Sequence, residues 1–90
     1  MRRHDEASVK IKRALELDPL NALPQTVYGG HLLFRGRYDE AIDQYQKTLK
    51  LEPNYSMVHN GLWAAYHLKG MFEEALVEAV SYTHLRAHET

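Results

Sequence analysis

The residues of this sequence that could do chemistry are few and poorly spaced for it. His84 and His88 stand four apart, the helical interval at which two imidazoles can share a zinc ion. His4, His31, His59 and His67 have no Glu or His at a recurring ligand interval, and His59 and His67 lie eight apart, two turns along one helix and too far for a shared ion. Ser8 and Ser56 lack the Gly-x-Ser-x-Gly elbow of a nucleophilic serine, and Ser56 beside Asn54 suits a helix N-terminus instead. Gly29-Gly30 is not followed by Lys-Ser or Lys-Thr, so it cannot cradle a phosphate in the usual loop and fits close helix packing better. Asp18 and Glu52, the nearest thing to a general acid–base pair, are far apart in the chain and each precedes a proline. Arg2, Arg3, Lys10, Lys12 and Arg13 form a basic cluster that could meet phosphate. The same stretch carries Asp5, Glu6 and Glu16 at ion-pairing intervals and no aromatic residue to stack a base, which favours a solvated helix face. Nothing assembles a nucleophile, a base and an oxyanion donor. The sequence therefore predicts no catalytic residue, no metal and no cofactor.

Ninety residues with 11 Lys+Arg against 12 Asp+Glu carry no net field to draw the chain to nucleic acid or an anionic membrane. With 44% hydrophobic and 26% charged residues the chain reads as ordered, and without cysteine it has neither disulfides nor thiolate chemistry. No apolar run reaches membrane length and the opening residues do not read as a signal peptide, so a cytoplasmic location is the default expectation. The segment Val80–Thr90 resembles the in-frame translation of a transposase sequencing-adapter strand. On that resemblance residues 80–90 are a non-native tail, the His84/His88 interval carries no meaning, and fold reasoning rests on residues 1–79.

Sliding the chain along itself until Leu15 meets Leu49 aligns its punctuation. Leu15-Glu16-Leu17-Asp18-Pro19 falls on Leu49-Lys50-Leu51-Glu52-Pro53, and the same shift lays Gly36-Arg37-Tyr38-Asp39-Glu40-Ala41-Ile42 on Gly70-Met71-Phe72-Glu73-Glu74-Ala75-Leu76. Gly36 and Gly70 suit a left-handed turn after one helix, the acidic pairs behind them suit the next helix's N-terminal dipole, and Pro19 and Pro53 close the second helix. Between these marks Tyr38, Ala41, Ile42, Tyr45 and Leu49 step by three and four along one face, and nothing alternates with period two. The spacing predicts five helices over 3–17, 22–35, 38–51, 55–69 and 72–79 or slightly beyond, with short connections that make neighbours antiparallel.

A period of about 34 residues, a helix–turn–helix unit and a closing proline together resemble the tetratricopeptide repeat. Gly29, Ala41, Tyr45 and Pro53 match its packing signature in the copy 22–55, as do Leu62, Tyr66, Gly70 and Ala75 in the copy from 56, with Gly36 at the first copy's turn. Gln25 and Tyr28 depart from the usual Trp and Leu, and Trp63 stands where the family keeps a small residue, which predicts an overpacked spot pushing two helices apart. The resemblance implies an all-α fold, a right-handed superhelix of antiparallel helix pairs. Residues 3–19 would be an orphan second helix, 22–55 a full repeat and 56–79 a truncated one, the whole a slice of a longer array. A pentatricopeptide reading, with its slightly longer period and RNA partner, fits less well.

The resemblance also implies a function in protein interaction, with a peptide or partner domain held in the concave groove lined by the first helices. Alignment places Leu23, Thr26, Gly30 and Leu33 on that stripe from one copy, and Met57, Asn60, Ala64 and His67 from the next. No Lys or Arg falls there, so an apolar or aromatic segment is a better partner than an acidic C-terminal tail, with neither nucleic acid nor membrane expected. Further repeats or domains of the parent chain are expected partners as well. The alternatives are a regulatory segment of a larger bacterial kinase, cyclase or winged-helix regulator, and more weakly an RNA-binding helical repeat.

Overall fold

The computed structural model describes residues 2–89, and side chains over residues 6–87. The side chains of Arg2, Arg3, His4 and His88 thus lie outside the description. Five α-helices follow one another, α1 (Arg2–Leu17), α2 (Ala22–Phe34), α3 (Tyr38–Leu51), α4 (Ser56–Leu68) and α5 (Phe72–Glu89), with no strand among the described residues. Each packs on the next, and α2 also reaches α4 across α3.

The turns explain the register. Gly36 and Gly70 both sit at φ 79°, where a side chain would clash with the backbone. At the first, Gly36 N–H donates to Leu33 O at 3.0 Å and Arg37 N–H to Leu32 O at 2.9 Å; at the second, Gly70 donates to His67 O at 3.0 Å and Met71 to Tyr66 O at 2.8 Å. Each turn thus satisfies the orphan carbonyls of one helix and releases the chain into the next. Asp39 and Glu40 then open α3 and Glu73 and Glu74 open α5, against the positive end of each dipole. At the other kind of junction Asn21 caps α2, its Oδ1 accepting from Leu23 N–H at 3.1 Å.

The core runs through α2, α3 and α4. Leu32, Ala41, Ile42, Tyr45, Val58, Leu62 and Ala65 are buried together, edged by Tyr28, Leu33, Leu49, Tyr55 and Tyr66. The helix α3 supplies its centre because Ala41, Ile42, Tyr45 and Thr48 recur on one face while its acids and lysines take the other. By contrast α1 has only half-buried Ile11, Ala14 and Leu15 against α2, with Val9 and Leu17 exposed. The last helix runs past 79 to Glu89, because Tyr82 and Leu85 continue its half-buried side and Arg86 donates to Tyr82 Oη at 2.7 Å, one turn away.

Tyr45 is 3% exposed, and burial pushes its phenol above the ordinary tyrosine value of about 10. The unfolded chain therefore ionises this phenol first as pH rises. Its contribution is flat below pH about 10 and falls above it, so stability should drop between pH 10 and 11. Urea denaturation at pH 8 and pH 11 checks this, and Tyr45→Phe should flatten the difference.

Candidate functional site

The repeat of the sequence is also a repeat of polar contacts, at positions where the sequence shows only departures from the family pattern. Gln25 on α2 donates from Nε2 to Pro19 O at 2.7 Å and accepts on Oε1 from Thr48 Oγ1 of α3 at 3.2 Å. One period on, His59 on α4 bonds through Nε2 to Pro53 O at 3.0 Å and through Nδ1 to Glu78 Oε1 of α5 at 2.7 Å. Each side chain ties the proline turn in front of its helix to the helix behind it. The signal lay in the sequence as two nitrogen donors, each six places after a proline. The His59–Glu78 pair is largely buried, with 14% and 17% of the side chains exposed. His59→Ala, which strips both bonds and leaves Glu78 without its partner, should cost about 1–3 kcal/mol by urea denaturation, and His59→Gln should recover part of it.

Between successive repeats the fastening is apolar. The Tyr45 ring fills the space between α2 and α4, and both helices meet it with a glycine. A Cβ on Gly29 would lie 2.5 Å from Tyr45 Cε1, and one on Gly61 would also fall inside the ring's van der Waals surface. Gly30, its neighbour, is only loosely faced by the Tyr45 hydroxyl. The remaining signature positions fall as follows: Ala41 and Ala75 are buried at helix crossings, Leu62 is 1% exposed, Tyr66 edges the core, and Pro53 lies at the exposed turn.

Trp63 requires a correction. Gly29 and Tyr45 oppose one another in the full repeat, and their counterparts one period on are Trp63 and Ala79. The large partner has moved from the second helix to the first. Trp63 and Ala79 face a cavity of about 230 Å³ shared with Asn60, Tyr82 and Thr83, so the expected wedge is absent. The indole is 39% exposed and stacks on His67 with ring centroids 5.6 Å apart, and His67 in turn meets Phe72 edge-on at 5.5 Å.

Along the first helices, Leu23 and Met57 are each 50% exposed at the start of α2 and α4, Asn60 and His67 are exposed, and Gly30 and Ala64 are half-buried. Leu33 is half-buried against the core cluster. Thr26 leaves the stripe: it is 6% exposed and its hydroxyl donates to Ala22 O at 2.8 Å, back into its own helix. Neither α2 nor α4 contains an Asp, Glu, Lys or Arg anywhere along its length. Charge is held on α1, α3, α5 and the connecting turns. Among the described residues no three His, Asp or Glu side chains gather to hold a metal, and no helix is long and apolar enough to cross a membrane.

Antiparallel helix pairs repeated at a fixed period, joined by left-handed glycine turns and stacked on a continuous core, define an α-solenoid of the protein-interaction kind. The family model described as TPR repeat matches residues 31–70. A small glutamine-rich tetratricopeptide repeat-containing protein 2 from Mycosarcoma maydis is 34% identical over 62 residues, which is 69% of this chain and 18% of that protein. Two solved structures of MamA superpose closely. The MSR-1 C2 structure has a TM-score of 0.86 at 31% identity over 98% of this chain, and the AMB-1 P212121 structure 0.84 at 31% over 97%. This chain spans 51% and 52% of those two chains, about half their length. The chain carries a tetratricopeptide repeat over residues 31–70. Repeats of this family serve as scaffolds for protein–protein interaction, and catalysis is not their usual role.

Proposed function

We propose that α2 and α4 hold an apolar or aromatic segment of a protein partner along their exposed sides. The observation that carries this reading is the absence of every formally charged residue from both helices, although charged residues are 26% of the chain. An acidic C-terminal tail needs Lys or Arg to grip its carboxylates, and only Asn60 on this surface could serve it. The half-exposed Met57 is a flexible apolar contact, and the Trp63–His67–Phe72 stack offers ring faces to a partner's side chains. Binding of this kind depends on buried area and should persist at about 0.5 M salt, where charge-read recognition is screened.

A peptide array of apolar and aromatic segments, with acidic C-terminal peptides as the comparison, tests it on the full chain. Met57→Asp should weaken the best apolar ligand about tenfold or more, which is about 1.4 kcal/mol, and His67→Ala should weaken it less. If Met57→Asp binds as tightly as the parent chain, the partner does not lie along α4. If acidic peptides bind best and are released by salt, the argument from the uncharged helices fails.

A further inference from the structure

Both ring nitrogens of His59 face groups built to accept a hydrogen bond. Nε2 lies 3.0 Å from the Pro53 carbonyl oxygen, and Nδ1 lies 2.7 Å from Glu78 Oε1. A carbonyl has no proton to give, so Nε2 carries one. The Nδ1–Oε1 contact needs a second proton, because a bare nitrogen against an ionised carboxylate sets lone pair against lone pair. The imidazole, as the stronger base of the two, takes it. The His59–Glu78 pair therefore holds two protons, where a neutral imidazole and a carboxylate in water hold one.

The corresponding tie one period earlier makes no such demand. Gln25 donates to Pro19 O and accepts from the Thr48 hydroxyl, and neither side chain titrates in water near neutral pH. His31 meets the Ser8 hydroxyl at 2.8 Å, a group that can donate or accept and so serves either form of the ring. Around His59, α2 and α4 carry no Asp, Glu, Lys or Arg. The helix α3 turns Asp39, Glu40, Asp43, Lys47 and Lys50 to solvent, α5 does the same with Glu73, Glu74 and Arg86, and Glu52 beside Pro53 is exposed too. Of the other titratable rings nearby, His67 stacks on Trp63 and Tyr82 is engaged by Arg86. Among the described residues Glu78 is the charged group in contact with His59.

We propose that the α4–α5 junction is a proton-operated clasp, shut while His59 and Glu78 hold two protons and released as the solution turns alkaline, whereas the α2–α3 junction tied by Gln25 stays shut. The sign follows from the proton count. Above the ordinary histidine range, near about pH 6.5, the unfolded chain gives up the proton that the shut clasp still needs. The clasp's contribution is therefore full below that range and falls as pH rises through it, by at most about tenfold in the folding equilibrium per pH unit for one linked proton. Tyr45 acts only at higher pH, so the two effects separate. Among the described residues α5 packs on α4 and on no other helix, so the helix set loose by the clasp is α5.

Urea denaturation of the full chain at pH 6 and pH 8.5 tests this. The folding constant of the parent should fall about tenfold between the two. In the double variant His59→Gln/Glu78→Gln two amides keep a tie that does not titrate, and the fall should shrink to about twofold or less. Hydrogen exchange, corrected for the intrinsic effect of pH on amide rates, should place the lost protection in α5 while α3 keeps its own. Proton–nitrogen NMR of the histidine rings reads the clasp in the unmutated chain, where His59 should still carry a proton on both nitrogens at pH 7. A double variant with the parent's pH dependence overturns the proposal. So does a His59 ring with one bare nitrogen at pH 7 while α5 remains protected, or a loss of protection at pH 8.5 that begins in α2 and α3.

Discussion

Gly61→Ala is expected to destabilise the chain by about 1–3 kcal/mol, although alanine favours an isolated helix over glycine by about 1 kcal/mol. The reversal of sign comes from the Tyr45 ring, which leaves no room for a Cβ on either flanking glycine. Tyr45→Ala alone should cost more, about 3–5 kcal/mol, the usual loss on deleting a buried aromatic ring. The informative variant is the pair. In a Tyr45→Leu background the ring is gone, and Gly61→Ala should become neutral or stabilising. Urea denaturation of the two single variants and the double closes the cycle, and additive losses would mean that ring and glycine do not meet. Because the ring lies between α2 and α4, this cycle reports the fastening of one repeat to the next, separate from packing within a helix pair.

Leu62→Ala should cost about 2–5 kcal/mol, and Trp63→Ala, at the next position, only about 1 kcal/mol. The contrast runs against side-chain size. Leu62 is 1% exposed in the middle of the core, so its removal leaves a void that the surrounding helices cannot close. Trp63 is 39% exposed and fronts a cavity that is already open, so its truncation loses a face of contact and creates little new empty volume. Thermal melts of the two variants suffice to rank them. If Trp63→Ala proves the more damaging, the indole packs into the α4–α5 crossing after all.

The turns were legible in the sequence because a turn is a local object. A left-handed residue after a helix demands glycine whatever else surrounds it, and Gly36 and Gly70 announced both the period and the helix ends. What misled was any inference about one half of a pair. Trp63 looked strained against a family pattern that expects a small residue there, yet the pattern also expects an aromatic opposite, and Ala79 stands in its place. Compensation between two such distant positions is invisible to position-by-position matching. Thr26 falls on the stripe by alignment, but it is 6% exposed and its hydroxyl is already bonded back to Ala22 O of its own helix, which leaves a partner little to touch. The Gln25 and His59 ties were hidden for the opposite reason: they break the pattern, and only the shared geometry shows that two unlike side chains do one job.

The ring of Tyr45 has a mechanical meaning as well. A stack of helix pairs behaves as a coil spring, and the rotation from one pair to the next is set by whatever stands between their leading helices. Here that spacer is a single flat ring pressed between two glycine backbones. Its thickness sets the local pitch, and the absence of side chains on either side makes it a stop with almost no give. One period earlier in the sequence the same two positions hold Ile11 and Val27, which line an open groove with no helix seated on it. The angle between α2 and α4 is therefore held at one hard point, and a ligand lying across both helices meets a surface that does not bend to receive it.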